Sequence, residues 1–169
     1  MLSESARATS AVEARFRINA PNSKPRHVKI IALDPASETV VKHLSELRWN
    51  NASFFTASAF AGEPPGRGFS VSGWLIDLAG RTKDLINEVN SADLVVMVAK
   101  AGENAQAATL IGEACSLKRV NTTGLILGGT SATDEMLSKT LSQLRPWSLM
   151  LVIANSEDYI EDMLIALRA

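Results

Sequence analysis

Apolar and polar positions along this chain follow two periods, and the switches between them mark out its elements. Leu94 to Ala99 is an unbroken apolar run, followed at once by the polar stretch Lys100-Ala-Gly-Glu-Asn104. A strand apolar on both faces belongs in the middle of a parallel sheet covered by helices on each side, so residues 92–99 read as the central strand. Val28-Lys-Ile-Ile-Ala-Leu33 is a shorter apolar run stopped by Asp34-Pro35, because proline cannot continue a ladder. From Ser37 the period becomes helical. Val40, Val41, Leu44 and Leu47 share one face of a helix over 37–48. Ser53 to Phe60 alternates as a second strand and completes a βαβ unit. The next run fits two readings. Trp74-Leu-Ile-Asp-Leu78 is either a third strand followed by a helix from Thr82 to Asn90, or part of one longer helix through Leu75, Leu78, Thr82, Leu85, Ile86 and Val89. Gly80 would weaken a helix interior by about 1 kcal/mol, which favours the strand.

Beyond the central strand the alternation continues. Ala105 to Lys118 is helical, with Asn104 as N-cap and Ala108, Ile111 and Cys115 on one face. Thr122 to Leu127 is a strand ended by Gly128-Gly129. Ser131 or Thr133 opens a helix whose core face is Leu137, Leu141 and Leu144, ended by Pro146. Ser148 to Ala154 is a last strand, and Ser156 caps a final helix with the stripe Ile160, Met163, Leu164 and Leu167. Glu157 and Asp158 sit favourably at the positive end of its dipole. The pattern predicts the α/β class: a single-domain, three-layer, doubly wound, mainly parallel Rossmann-like sheet over 28–169, with strand order 3-2-1-4-5-6.

Composition narrows the function. The chain has 169 residues, 46% of them hydrophobic, enough for one buried core. Its net charge of −1, without a Lys/Arg-dense run, lacks the footprint of a nucleic-acid binder. Cys115 is alone, which excludes an internal disulfide, and its apolar helical setting makes it a packed residue rather than a nucleophile. No apolar run approaches the roughly 20 residues of a membrane span, and no signal-peptide core opens the chain, so a cytoplasmic protein without membrane contact is expected. Residues 1–27 read as a flexible, basic, solvated arm, or more sharply as one that docks on a partner subunit through Phe16 and Ile18. Gly62-Glu-Pro-Pro-Gly-Arg-Gly68 reads as an exposed connector, or as a lid carrying Arg67 to an anion.

In such a sheet the loops leaving the carboxyl ends of the strands open on one edge. That rule gathers the candidate ligand-binding residues: Asp34, Ser37, Lys100, Gly102, Glu103 and Asn104 around the switch point, with Gly128, Gly129, Thr130 and Asn155 beside them. Each also has a plain structural role, as strand stop, cap or turn. Specific motifs are absent. There is no G-x-x-x-x-G-K-[ST], no G-x-G-x-x-G after the first strand and no G-x-S-x-G. Asp77-Leu-Ala-Gly80 has the D-x-x-G form of a GTPase switch but only two fixed positions. His27 and His43 lack zinc-ligand spacing, and no cofactor is implied.

The segments as laid out resemble the nucleotide-binding half of the tubulin/FtsZ superfamily. Val28-Lys-Ile-Ile-Ala-Leu-Asp-Pro-Ala-Ser-Glu-Thr-Val-Val-Lys-His-Leu44 looks like that family's first strand, loop and helix, and Ser91-Ala-Asp-Leu-Val-Val-Met-Val98 its fourth strand. Ala107 to Ala114 resembles the helix after the phosphate loop, and Leu141 to Asn155 the stretch ending in an apolar strand and an asparagine. The resemblance implies a GTP site on two glycine-rich loops. Here they read Asp34-Pro-Ala-Ser-Glu38 and Lys100-Ala-Gly-Glu-Asn-Ala-Gln106. Without glycines, side chains obstruct the approach of backbone N–H groups to phosphate, and Asp34, Glu38 and Glu103 outnumber Lys100. The expectation is a degenerate relative without GTPase activity: a non-catalytic domain binding a small ligand, a protein partner or a second copy. The alternatives are residual GTP or GDP binding, and a small enzyme for an anionic substrate, with Glu103 or Asp34 as general acid/base and Lys100 or Arg67 holding the anion.

Overall fold

A computed structural model describes residues 25–57, 74–78 and 80–169. Seven strands form one sheet: β1 (Val28–Ala32), β2 (Ala52–Thr56), β3 (Trp74–Asp77), β4 (Thr82–Asp84), β5 (Leu94–Lys100), β6 (Asn121–Leu127) and β7 (Met150–Ala154). Five helices accompany them: α1 (Pro35–Ser45), α2 (Leu85–Asn90), α3 (Ala107–Lys118), α4 (Asp134–Leu144) and α5 (Glu157–Ala166). The sheet order is β4-β3-β2-β1-β5-β6-β7. β2, β1, β5, β6 and β7 pair in parallel, whereas β3 runs antiparallel to β2, and β4 antiparallel to β3.

The expected order of six strands is therefore present, with one strand more at the margin. Residues 74–77 are strand, not helix. The correction lies at Thr82–Asp84, expected to open a helix: these residues return as β4, and α2 starts only at Leu85. The reason is Asp77. Its carboxylate accepts the Arg81 N–H at 2.9 Å and the Arg81 guanidinium at 2.8 Å, and Gly80 at φ 79° closes the turn. The D-x-x-G sequence is thus a hairpin turn. Residues 1–24 of the expected arm and the Gly/Pro loop, with Phe16, Ile18 and Arg67, lie outside the described residues, as does the end of the expected second strand beyond residue 57. The last arm residues, by contrast, are bonded to the domain, the Arg26 N–H to the Arg168 carbonyl at 2.9 Å and the His27 N–H to Asp93 Oδ2 at 2.9 Å.

Both faces of the central strands are dry, as an unbroken apolar run demands. Val95, Met97 and Ala99 of β5 pack with Ile31, Leu33 and Ile126 under α2, α3 and α4. Leu94, Val96 and Val98 pack with Ile30, Ala32 and Leu125 under α1 and α5. A charged group is sunk among them. Lys29 of β1 is 9% exposed, with Nζ 2.9 Å from Glu88 Oε2 of α2 and 5.7 Å above the Phe55 ring. Cys115 is fully buried, and burial pushes its thiol up to about 12, so it packs rather than reacts. Among the described residues, no helix is long and apolar enough to cross a membrane.

Helix α3 meets the 3-10 turn Arg145–Trp147 at Gly112, where a Cβ would lie 2.6 Å from Trp147 Cβ. A Gly→Ala change in a helix normally gains up to about 1 kcal/mol. Here overpacking costs about 1–3 kcal/mol, and the clash is with an atom held near the backbone. Gly112→Ala is therefore expected to lower stability, read as an earlier urea midpoint; a later midpoint would show that Trp147 yields freely.

Candidate functional site

The rim at the carboxyl ends of the strands is organised by Asp34, which is 1% exposed. β1 ends here and α1 begins, with Asp34 as N-cap and Pro35 in the first turn, where a missing N–H costs nothing. Asp34 Oδ1 accepts the Ser37 N–H at 2.8 Å. Ser37 Oγ, itself buried, donates to the Asp34 carbonyl at 3.0 Å and receives its N–H at 3.3 Å, completing a capping box. The second carboxylate oxygen reaches across to the neighbouring strand, where Oδ2 accepts the Lys100 N–H at 2.9 Å. Because β1 pairs with β2 on one side and β5 on the other, this carboxylate bridges the point at which the strand order reverses.

The loop after β5 turns away from that point and is tied down by α4. Gly102 adopts φ 89°, and its N–H donates to the Met136 carbonyl at 3.1 Å and to Thr140 Oγ1 at 2.9 Å. Thr140, fully buried, also lies 3.4 Å from the Lys100 carbonyl and 3.3 Å from that of Glu103. The Ala105 N–H donates to Gln143 Oε1 at 2.6 Å, and Gln143 Nε2 reaches Asn104 Oδ1 at 3.3 Å. Asn104 is not the N-cap of α3, which is Gln106; instead its side chain accepts the Gln106 N–H at 3.0 Å in a turn just ahead. The Lys100 and Glu103 side chains stand exposed.

Gly128, Gly129, Thr130 and Asn155 gather further along the rim. The Gly128 N–H donates to the Ala154 carbonyl at 3.1 Å, and a Cβ on Gly129 would collide with Ile153 and approach Asn155. Thr130 and Asn155 are exposed. Ser156 occupies the N-cap position of α5 but makes no side-chain capping bond, contrary to expectation. The ten candidates thus share one rim, in two groups separated along it. A cleft of roughly 250 Å³ opens at the opposite edge, among Pro25, Arg48, Trp49, Asn50, Ile165 and Arg168. There the indole N–H is already donated to the Leu44 carbonyl at 2.7 Å, which leaves Trp49 its ring surface.

Two solved structures are similar to this chain. Translation elongation factor SelB from Methanococcus maripaludis, in complex with the GTP analogue GppNHp, is 13% identical over 85% of this chain and 33% of its own, with a TM-score of 0.47. The same factor in its apo form is 14% identical over 82% of this chain and 32% of its own, with a TM-score of 0.44. The chain spans about a third of those proteins. No protein-family model and no curated protein matches it.

Reading the sequence by loops missed Thr140, Gln143 and Met136. Their signal was present: spaced i, i+4, i+7, they lie on one face of α4. The cleft residues carried no pattern at all. Among the described residues, no three His, Cys, Asp or Glu side chains converge as a metal would require. His43 is exposed and pairs its Nδ1 with Glu157 Oε2 at 2.7 Å, joining α1 to α5. That hydrogen bond, and then the charge of the same carboxylate, raise the imidazole above its ordinary 6.5, with Glu46 and Glu161 adding to them.

Losing the Asp34 carboxylate removes a helix cap, worth about 0.5–2 kcal/mol, and strands the Lys100 N–H, about 1–3 more. Asp34→Ala is expected to destabilise by about 2–4 kcal/mol in urea unfolding, and Asp34→Asn by less, since an amide keeps one acceptor. Equal losses would show that the bond the amide retains contributes nothing. For the His43 pair, a raised folded-state pKa means that its stabilisation is complete below about 6.5 and fades as pH climbs through the raised value. Glu157→Gln should move the His43 titration in an NMR experiment back toward 6.5; an unmoved midpoint would assign the shift elsewhere.

Proposed function

We propose that this chain is a non-catalytic α/β domain of nucleotide-binding-type fold that has given up phosphate chemistry, GTPase activity included, and works by binding a protein partner or a small ligand. The observation carrying this reading is the doubly bonded Asp34 carboxylate. Folds of this type hold phosphate at the strand-order reversal, on backbone N–H groups at a helix N-terminus. Here an internal anion takes the N–H groups of Ser37 and Lys100, and its charge opposes a second anion. The Gly102 N–H, the one glycine donor of the second loop, goes to Thr140 and Met136. Glu38, held by Lys42 at 2.8 Å, adds negative charge at the start of α1.

A second reading places a small anionic ligand in the opposite cleft. It is favoured by Arg48 beside Trp49 in a concave space. The first reading predicts that GTP, GDP and NAD bind with Kd no tighter than about 1 mM in calorimetric titration. Micromolar nucleotide binding abolished by Asn104→Ala would overturn it. For the second, benzoate binding that weakens about tenfold in Arg48→Ala is expected. Binding indifferent to that change would remove the cleft from consideration.

A further inference from the structure

Helix α5 divides its surface sharply. Ile160 and Leu164 are buried on the sheet side, whereas Asp158, Tyr159, Asp162, Ile165 and Ala166, spaced i, i+1, i+4, i+7 and i+8, form one exposed outer stripe. Two large apolar side chains stand in it, Tyr159 at 52% and Ile165 at 58% exposure. The charge around them has one sign. Glu157, Asp158, Glu161 and Asp162 give the helix four carboxylates and no basic residue, and none of the described ion pairs includes Asp158, Glu161 or Asp162. An apolar pair framed by carboxylates is complementary to a basic segment that carries apolar side chains of its own.

Such a segment belongs to this chain and joins the domain beside α5. Ala14-Arg-Phe-Arg-Ile-Asn-Ala-Pro-Asn-Ser-Lys24 holds three basic residues, no acidic one, and the apolar Phe16 and Ile18. The residues that connect it to β1 run against the C-terminal end of α5. The Arg26 N–H donates to the Arg168 carbonyl at 2.9 Å, and Pro25 and Ile165 line the same cleft. From Ile165 back to Tyr159 the helix rises about 9 Å. The stretch from Phe16 to Pro25 reaches up to about 30 Å when extended, so it spans the stripe with slack. A tether this short gives an effective concentration of roughly millimolar order, at which weak surface contacts suffice.

We propose that the outer stripe of α5 is the docking surface for this chain's own residues 14–24, with Arg15 and Arg17 against Asp158 and Asp162, and Phe16 and Ile18 over Tyr159 and Ile165. This inference goes beyond the readings of the rim and the cleft and stands whichever of them holds.

Paramagnetic relaxation in the full chain tests it. An Ala14→Cys chain takes a nitroxide at that thiol alone, since Cys115 is fully buried. An undocked arm spreads the label over about 20 Å around Pro25 and broadens the amides of that edge alike, whereas a docked one singles out α5. The expected relaxation at the Tyr159 and Asp162 amides is at least about threefold above that of the same labelled chain carrying Arg15→Glu and Arg17→Glu, the scale on which two surface ion pairs shift an equilibrium. Adding Asp158→Lys and Asp162→Lys to the arm reversals should restore it. Equal relaxation with and without the two arginines overturns the proposal, as does a failure of the combined reversal to restore it in a folded chain. So does equal relaxation in isotope-enriched chains without a label mixed with labelled ones, which assigns the stripe to a second copy's arm. Were the lysine variants to unfold, the arm reversals and the mixing experiment would decide, since neither alters the helices or the sheet.

Discussion

Asp34 carries a carboxylate, 1% exposed, at the point where β1 and β5, paired along their length, end and part from one another. A buried carboxylate is costly unless its lone pairs are met by donors, and here each oxygen meets one: Ser37 N–H at 2.8 Å and Lys100 N–H at 2.9 Å. The first bond starts α1, and the second ties the end of β1 to the end of β5. With β1 and β5 joined at their carboxyl ends, α1 leaves to one face of the sheet and α3 to the other, and the two layers of core follow. The same carboxylate occupies the place where a fold of this kind usually receives a ligand's negative charge.

The rest of the rim continues this logic by different means. After β5 the chain needs donors and acceptors for a tight turn, and α4 supplies them from Met136, Thr140 and Gln143. A fully buried threonine bonded to the backbone of a loop holds that loop as firmly as packing would. The polar groups of the rim are largely spent inside the molecule, while the apolar groups of the β7 margin are left outside it. Side chains at the rim stay exposed chiefly where their charge points to water, as with Lys100 and Glu103. The carboxyl rim is thus an internally satisfied joint, whereas β7 ends the sheet at an uncovered margin among the described residues.

Much of this was readable from the residues, for local reasons. Leu94 to Ala99 could be assigned to the sheet centre because only a strand covered on both sides has no use for polar residues, and Val96 and Met97 are indeed fully buried. Asp34 was read correctly as the stop of the first strand, but the helix was started at Ser37; it starts at Pro35, with Asp34 as the cap and Ser37 returning the bond. Where the reading failed, the deciding contact was distant or competed with a local signal. Thr82 was placed in a helix because Leu85, Ile86 and Val89 set a helical period; the Asp77–Arg81 turn overrode it for three residues. Lys29 passed as an incidental residue in an apolar run, yet it is held at 9% exposure by Glu88 and Phe55 from other elements.

Alternating periods of two and 3.6 residues, with glycine, proline and caps between them, were enough to set the class, the parallel core and the order of its principal strands, because burial is a per-residue property that the pattern of side chains records directly. Which polar groups face solvent and which are consumed internally was decided only by the folded chain. The Asp34–Lys100 bond spans 66 positions and the Gly102–Thr140 bond 38. Neither leaves a local trace, since a hydrogen bond across the sheet depends on two ends being brought within 3 Å by everything that lies between them.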